Sequence, residues 1–306
     1  MKIVDPHVHF WDLDTHHYPW LANPGTSFVG DARELKHSYL PADLLRDAGN
    51  IEVVKVVHVE ANHDPADPVE ETRWLQSLAD ANSGGGAARA WPDAIVAAAD
   101  LSAANVEATL AAHAGFSRTR GIRQILNVHD KPLYDYVGRH YLRDATWRRN
   151  FGLLARYGLS FDLQLYPSQM ADAAALAREH PDVALIVNHA GMFVDRGSVA
   201  GWRAWRDGLR TLAACPNVSV KISGLAMFDH RWTVESLRPY VLETIDAFGA
   251  DRAMFASNFP VDRLFATYGD LWRAYAAIVG DASDDERDAL FRRNAERIYR
   301  LADPQQ

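Results

Sequence analysis

The sequence predicts an α/β protein: a single-domain (β/α)8 barrel over residues 1–306. Three observations support this prediction: eight short apolar runs, helix signals between most of them, and a length that suits one barrel. Of the 306 residues, 48% are hydrophobic, and barrels of this size commonly form one domain. No glycine-rich fingerprint follows a candidate strand, which counts against a dinucleotide-binding sheet.

The candidate strands are short segments rich in Val, Ile, Leu and Phe. They are Lys2–Phe10, Val53–Ala61, Ala94–Leu101, Gly121–Leu126, Ser160–Leu165, Ala184–Ala190, Val218–Gly224 and Ala253–Ser257. Because helical segments separate them, the strands should pair in parallel through crossover connections. About eight such units favour a closed barrel over an open sheet.

The helices are predicted from their caps and stops. Asp67 can cap a helix that has Pro68 in its first turn and runs to about Ala81. Further helices are predicted over Asn105–Ala114, Ser168–Glu179, Ser198–Ala214 and Thr233–Phe248. A last helix begins at Ser283, and we expect its apolar side to pack on the barrel exterior. That side consists of Leu290, Phe291, Ala295, Ile298 and Leu301.

Two connections are unusually long, one after strand 1 (Trp11 to about Tyr39) and one after strand 4 (Asn127 to about Asp144). Both follow strand ends where a barrel keeps its active site, and both carry aromatic residues. We interpret them as walls or lids of a substrate pocket; the alternative is that they only cover the barrel mouth. The run Ser83-Gly84-Gly85-Gly86 is typical of a flexible connection.

Amino-acid composition limits the binding partners and the cellular compartment that we expect for this protein. The formal net charge of −8 comes from mixed acids and bases without a basic run, which disfavours nucleic-acid binding. The single cysteine, Cys215, cannot form an internal disulfide, and no apolar stretch reaches the roughly 18 residues that span a bilayer. We therefore expect a cytoplasmic protein away from the membrane, with a homodimer as the default assembly.

Two histidines on strand 1 and one on strand 6 form the candidate catalytic centre. Alternation along an extended strand places Asp5, His7 and His9 on one face and Val4, Val8 and Phe10 on the other. His189 stands at the end of strand 6 with the parity of Leu185 and Val187. The carboxyl ends of barrel strands meet at one mouth, so the three imidazoles can converge on a metal or a polarised carbonyl.

With these histidines in place, the sequence resembles the amidohydrolase superfamily, and within it the lactonase-like branch of amidohydrolase-related proteins. This branch includes sugar-lactone and 2-pyrone-4,6-dicarboxylate lactonases. The resemblance covers nearly the whole chain. Its motifs are Asp5-Pro6-His7-Val8-His9-Phe10-Trp11-Asp12, Glu71-Thr72-Arg73-Trp74-Leu75, Gly121-Ile122-Arg123, Phe161-Asp162-Leu163, Asn188-His189-Ala190-Gly191, Lys221-Ile222-Ser223-Gly224, Ser257-Asn258-Phe259-Pro260-Val261-Asp262 and Asn294-Ala295-Glu296-Arg297-Ile298-Tyr299.

The resemblance implies that His7, His9 and His189 hold a divalent cation, or bind the substrate carbonyl directly where the metal has been lost. We expect at most one metal, because strand 4 offers no lysine for carbamylation and strand 5 ends in Gln164, where metal-rich relatives place a histidine. Zinc is the first candidate, since three neutral imidazoles leave an open position for water or substrate.

Strand 8 departs from the family pattern, because Asn258 stands where an aspartate serves as metal ligand or base. An amide cannot accept a proton near neutral pH, so another carboxylate has to replace it, or a metal-bound hydroxide attacks unaided, or hydrolysis has been lost. Glu60, at the end of strand 2 with the parity of His58, and Asp262, just past strand 8, are the candidate replacements. A surface or supporting role is the alternative for each.

Four further residues are candidates for substrate binding: Arg123, Lys221, Gln164 and Trp11. Arg123 and Lys221 on strands 4 and 7 can bind a carboxylate or a developing oxyanion, and a buried structural ion pair is the alternative. The leading hypothesis is a hydrolase that opens a lactone of a small anionic or polyhydroxylated compound. The alternatives are an amide hydrolase or decarboxylase of the same superfamily, and a ligand-binding barrel without catalysis, motivated by Asn258.

Overall fold

The computed structural model describes residues 1–24, 26–82 and 89–301, and the glycine run at 83–86 lies outside them. Eight parallel strands form one sheet in sequence order. They are β1 (Lys2–Val8), β2 (Glu52–Val59), β3 (Ala94–Ala98), β4 (Thr119–Ile125), β5 (Ser160–Gln164), β6 (Leu185–Val187), β7 (Val218–Ile222) and β8 (Ala253–Phe255). The predicted (β/α)8 barrel is confirmed.

The helices surround this sheet. They are α1 (Pro19–Ala22), α2 (Pro41–Ala48), α3 (Glu70–Ala81), α4 (Val106–Ala114), α5 (Ala145–Phe151), α6 (Leu153–Arg156), α7 (Met170–Glu179), α8 (Val199–Ala213), α9 (Val234–Phe248), α10 (Tyr268–Ile278), α11 (Asp284–Asp288) and α12 (Asn294–Ile298). A two-stranded hairpin, Thr26–Ser27 with Gly30–Asp31, lies in the connection after β1. No described helix has the length and apolar character that crossing a bilayer requires.

The barrel closes between its first and last strands. Val8 forms a parallel bridge with Phe259, and the backbone N–H of His9 donates to the carbonyl of Phe259 at 2.8 Å. The backbone N–H of Asn258 likewise donates to the carbonyl of His7 at 2.9 Å. These bonds place the strand-1 histidines directly beside Asn258.

The end of strand 1 differs from simple alternation. Pairing with β2 shifts register between Ile3 and Val4 and again between Asp5 and Val8. As a result Asp5 does not share the face of His7: its carboxylate accepts from the hydroxyl of Tyr268 on α10 at 2.8 Å and from the backbone of Ser257 at 3.0 Å. The predicted ladder of Asp5, His7 and His9 was wrong at Asp5, because an irregularity in the strand changes which residues point inward.

The C-terminal segment closes the lower end of the barrel. Ala295, Tyr299 and Leu301 pack with inward-facing strand residues, namely Val4, Val57, Val59, Ala94, Val96, Ile186 and Met254. The hydroxyl of Tyr299 reaches into the barrel and donates to Asp162 at 2.8 Å. Packing of the whole last helix on the exterior was therefore a wrong prediction for these residues, although Leu290 and Phe291 do join the outer core.

Candidate active site

The three histidines converge at the barrel mouth. The ring centroid of His7 lies 5.0 Å from that of His9 and 4.6 Å from that of His189. All three side chains are buried. Burial lowers the pKa of each ring well below the usual 6.5; the charge of Arg123 lowers it further in all three, and that of Lys221 in His7 and His189. The rings are therefore neutral at pH 7.

The two ring nitrogens of His9 have different hydrogen-bonding roles. Its Nδ1 lies 2.7 Å from the carbonyl oxygen of Val59, which can only accept, so Nδ1 carries the proton. The neutral ring then has a lone pair on Nε2, which lies 3.4 Å from Oδ1 of Asn258. The amide nitrogen of Asn258 points the other way and donates to Oδ1 of Asp262 at 2.8 Å. Nε2 of His9 is thus a proton acceptor.

His7 has the opposite arrangement. Its Nδ1 lies 3.4 Å from the ammonium of Lys221, a group with donors only, so Nδ1 accepts and Nε2 carries the proton. Lys221 also donates to Asp162 at 2.6 Å, and Tyr299 binds the same carboxylate from below. Burial lowers the pKa of Lys221 to about 8 despite the attraction of Asp162. Nε2 of His7 is buried without a partner among the described residues.

His189 sits on a sharply turned backbone after β6. His189, Ala190, Gly191 and Met192 all have positive φ angles, which ends the strand earlier than the sequence predicts. Nδ1 of His189 lies 3.0 Å from the hydroxyl of Ser223, which can donate or accept. A Cβ atom at Gly224 would lie 2.5 Å from the same nitrogen, so glycine at that position makes room for the ring.

Arg123 and Glu60 form a buried ion pair at the cavity. Nε of Arg123 donates to the Glu60 carboxylate at 2.6 Å, and an Nη donates to the Glu60 backbone carbonyl at 2.5 Å. The other Nη donates to Oε1 of Gln164 at 3.0 Å. Glu60 also accepts from the backbone of Asn62 at 2.7 Å. Two of the five guanidinium N–H groups thus stay available to a substrate.

A cavity of about 370 Å³ opens above these residues, a size typical of small-molecule sites. Its floor is formed at the strand ends by His9, Arg123, Gln164, His189 and Asn258. The long connections after β1 and β4 supply part of its wall, as the pocket interpretation of those loops requires. The wall residues include Trp20, Val29, Leu133 and Tyr136.

The other candidate residues lie outside the lining of this cavity. His7 and Lys221 are fully buried behind it. Glu60 is held behind Arg123, and Asp262 behind Asn258; burial raises the pKa of Asp262 to about 7. Trp11 packs against Tyr18, Trp20 and Tyr39, and its indole donates to the carbonyl of His37 at 2.6 Å.

The arrangement does not fit a three-histidine metal centre. Within the ranges described, no three His, Cys, Asp or Glu side chains come together closely enough to hold a metal ion. His7 carries its proton on the nitrogen that faces away from Lys221, so that ring has no free lone pair, and an ammonium stands beside it. A donor and an acceptor imidazole are instead what direct binding of a carbonyl and a water requires.

Sequence reasoning missed several residues of the site. Tyr299 and Ser223 were noticed only as members of sequence motifs. Asn62, Met192 and Met227 line the cavity but lie on connections where alternation carries no information. Positive φ at Asn62 and Met192 is a backbone feature that neither residue type signals by itself.

Known proteins share sequence and structure with this chain over nearly its whole length. A family model described as amidohydrolase matches residues 4–301. The uncharacterized protein y4mH of Sinorhizobium fredii is 46% identical over 303 residues, covering 98% of this chain and 99% of that protein. An L-fucono-1,5-lactonase of Burkholderia ambifaria is 27% identical over 314 residues, covering 98% and 96%. A crystal structure of a Burkholderia multivorans amidohydrolase with bound zinc aligns with a TM-score of 0.79 at 26% identity, covering 99% and 100%.

Proposed function

This chain is a member of the amidohydrolase family, and from that premise we propose that it opens a lactone ring by hydrolysis. The observation that carries the proposal is the acceptor nitrogen of His9 in the lining of one cavity together with Arg123 and His189. The similarity to L-fucono-1,5-lactonases supports a lactone as the scissile group. An ester carbonyl is also electrophilic enough to react without strong activation.

The proton and electron movements follow from the residues that line the cavity. The lactone carbonyl oxygen accepts from the two unused N–H groups of Arg123 and from Nε2 of His189, which carries a proton when Nδ1 accepts from Ser223, and these donors stabilise the oxyanion. A water attacks the carbonyl carbon and gives a proton to Nε2 of His9. The ring C–O bond then breaks, and His9 returns that proton to the leaving alkoxide. The product is an open-chain hydroxy acid.

The other candidate residues have supporting roles in this proposal. Asn258 and Gln164 orient the water and the substrate from the cavity floor. Asp262 holds the amide of Asn258, and Glu60 holds Arg123. Lys221 keeps Nδ1 of His7 free of a proton, and the His7 ring packs against His189 with their centroids 4.6 Å apart.

The role of zinc, which binds a Burkholderia multivorans relative, has a direct test. We expect ring opening to persist after chelation and to change little when Zn²⁺ is added back. Loss on chelation with recovery by zinc, matched by one bound metal per chain, would instead favour a cation held by His7, His9 and His189.

The function is tested with a panel of lactones and the variant His9→Ala. We expect ring opening by the unmodified protein and a loss of about 10²–10⁴-fold in the variant, the usual contribution of a general base. The matched control is His140→Ala, which removes an exposed imidazole. Circular dichroism checks that both variants fold. Full activity in His9→Ala contradicts the mechanism.

The same assays separate the alternatives. Release of carbon dioxide from aromatic acids would identify a decarboxylase, and cleavage of amides an amide hydrolase. A binding barrel without turnover is the second candidate, and Asn258 favours it because the position lacks a carboxylate. That reading predicts that lactones raise the melting temperature and remain intact.

A further inference from the structure

The cavity has a polar floor and a largely apolar wall. The floor comes from strand ends and carries imidazole, guanidinium and amide groups. The wall comes from connections after six of the strands, and its aliphatic and thioether members are Val29, Ala32, Ala61, Leu133, Met192, Met227 and Val261. Its polar members are Asn23, Asn62 and Asp135. The apolar members offer no partner to a hydroxyl group, and burying an unpaired hydroxyl against them costs free energy.

Charge is scarce in this cavity. Apart from histidines, Arg123 and Asp135 are the charged residues among its described lining. Arg123 is already paired with Glu60 at 2.6 Å, and Lys221 is sealed behind the floor by Asp162. Asp135 would repel an anion. The two remaining N–H groups of Arg123 are assigned to the developing oxyanion, so a substrate carboxylate would leave water without a cation of its own, which is unfavourable.

The sulfur atoms of the two methionines in the wall already accept hydrogen bonds. Sδ of Met192 accepts from the amide of Asn127 at 3.4 Å, and Sδ of Met227 accepts from the amide of Asn258 at 3.5 Å. Both methionines are buried. They consequently present their hydrocarbon surface to the cavity, and flexible methionine side chains suit apolar groups of varied shape.

Apolar surface continues to the mouth. Leu133 and Tyr136 line the cavity and remain 56% and 45% exposed. Large apolar side chains left open to water at the rim of a polar-floored cavity are typical of a ligand contact. The floor and the rim together define an axis, with the reacting carbonyl below and an apolar group above.

We infer that the preferred substrate is an uncharged lactone whose ring carries an apolar alkyl or aryl substituent. The substituent lies against Leu133, Met192 and Met227, while the carbonyl meets the histidines. This inference rests on the proposed ring-opening function and narrows its substrate class away from anionic and highly hydroxylated rings.

Four probes test it: δ-valerolactone, the same ring with a pentyl substituent, a polyhydroxylated δ-lactone and a lactone dicarboxylate. We expect kcat/KM for the pentyl-substituted ring to exceed that of each other probe by about tenfold or more, because even one buried methylene changes this ratio by roughly 10–200-fold. Leu133→Ser should remove most of that preference, because it should lower kcat/KM for the pentyl-substituted ring far more than for the unsubstituted ring.

The matched control is Leu242→Ser, which replaces an exposed leucine on α9 away from the cavity and should change none of the four rates. The inference is overturned if the polyhydroxylated or dicarboxylate ring is opened as fast as the pentyl-substituted one, or if Leu133→Ser slows the substituted and unsubstituted rings equally. If no probe opens, including the unsubstituted ring, the proposed function itself has failed.

Discussion

The barrel contains two buried ion pairs. Each joins a basic residue on a strand to an acidic residue of another strand or strand end, and the two pairs differ in their depth below the mouth. Arg123–Glu60 has Nε and Oε1 2.6 Å apart, with both side chains 4% exposed, and its guanidinium lines the cavity. Lys221–Asp162 has Nζ and Oδ2 2.6 Å apart with both side chains 0% exposed, and Tyr299 covers it from below. The first pair can meet a substrate, whereas the second acts through His7.

The difference shows that strand parity identifies inward-facing residues without giving their depth. Both cations lie on inward-facing positions of a strand, and either can bind an anion in principle. The barrel interior is layered, however, and the lower layer is closed by the C-terminal segment. We therefore assign substrate binding to Arg123 and the positioning of His7 to Lys221.

The largest expected effect is on stability. Lys221→Met leaves the Asp162 charge buried without a partner, and we expect the free energy of unfolding to fall by about 3–5 kcal/mol. Arg123→Met should cost less, because Glu60 can be hydrated from the cavity. Urea unfolding measures both. The double variant Lys221→Met/Asp162→Asn should recover most of the loss; equal costs for the two single variants would erase the distinction.

The next effect concerns activity. Arg123→Lys keeps a positive charge and removes the planar fork that contacts Glu60, Gln164 and the oxyanion at once. We expect kcat/KM for lactone opening to fall by the equivalent of about 1.5–3 kcal/mol, the usual value of a hydrogen bond to a charged group. Steady-state kinetics on the folded variant provides the measurement. An unchanged kcat/KM would show that Arg123 does not touch the substrate.

A third effect is the pH dependence of stability, set by Glu71 behind the Arg123 pair. Glu71 accepts from the backbone of Ala61 at 3.1 Å, and burial raises its pKa from 4.5 to about 7. A raised pKa contributes stability that is full below pH 4.5 and lost as pH rises through about 7. Glu71→Gln should remove that loss, on the order of 3 kcal/mol, which makes the variant gain stability relative to the unmodified protein across this window.

Unfolding curves at several pH values for both proteins give the difference directly. A difference that is constant from pH 4 to 8 would contradict the raised pKa of Glu71.

The smallest effect is expected from Tyr299→Phe. It removes one hydrogen bond to Asp162 and keeps the ring that fills the lower barrel, so stability should fall by about 1 kcal/mol. If Asp162 and Lys221 act on His7 only by holding it, kcat should fall slightly while KM stays the same. A large rise in KM would place the lower pair in contact with the substrate and would remove the contrast between the two pairs.

Local patterns predicted the barrel, and because the carboxyl ends of barrel strands must meet, His7, His9 and His189 could be brought together from sequence. The parity assigned to His189 was wrong, because Leu185 and Val187 join the outer core whereas Ile186 packs inside the barrel, and the chain turns sharply at His189. The same reasoning failed at Asp5, because a register irregularity is decided by pairing with β2. It also failed for the C-terminal segment, because the partner of Tyr299 is 137 positions away.

Isotope labelling in water tests the central claim, that water adds to a lactone carbonyl with His9 as the proton acceptor. Ring opening in ¹⁸O-labelled water should yield a hydroxy acid with one label in its new carboxylate, and His9→Ala should lose this product while it remains folded. Label in the alcohol, release of carbon dioxide, or unchanged labelling by His9→Ala would contradict the account.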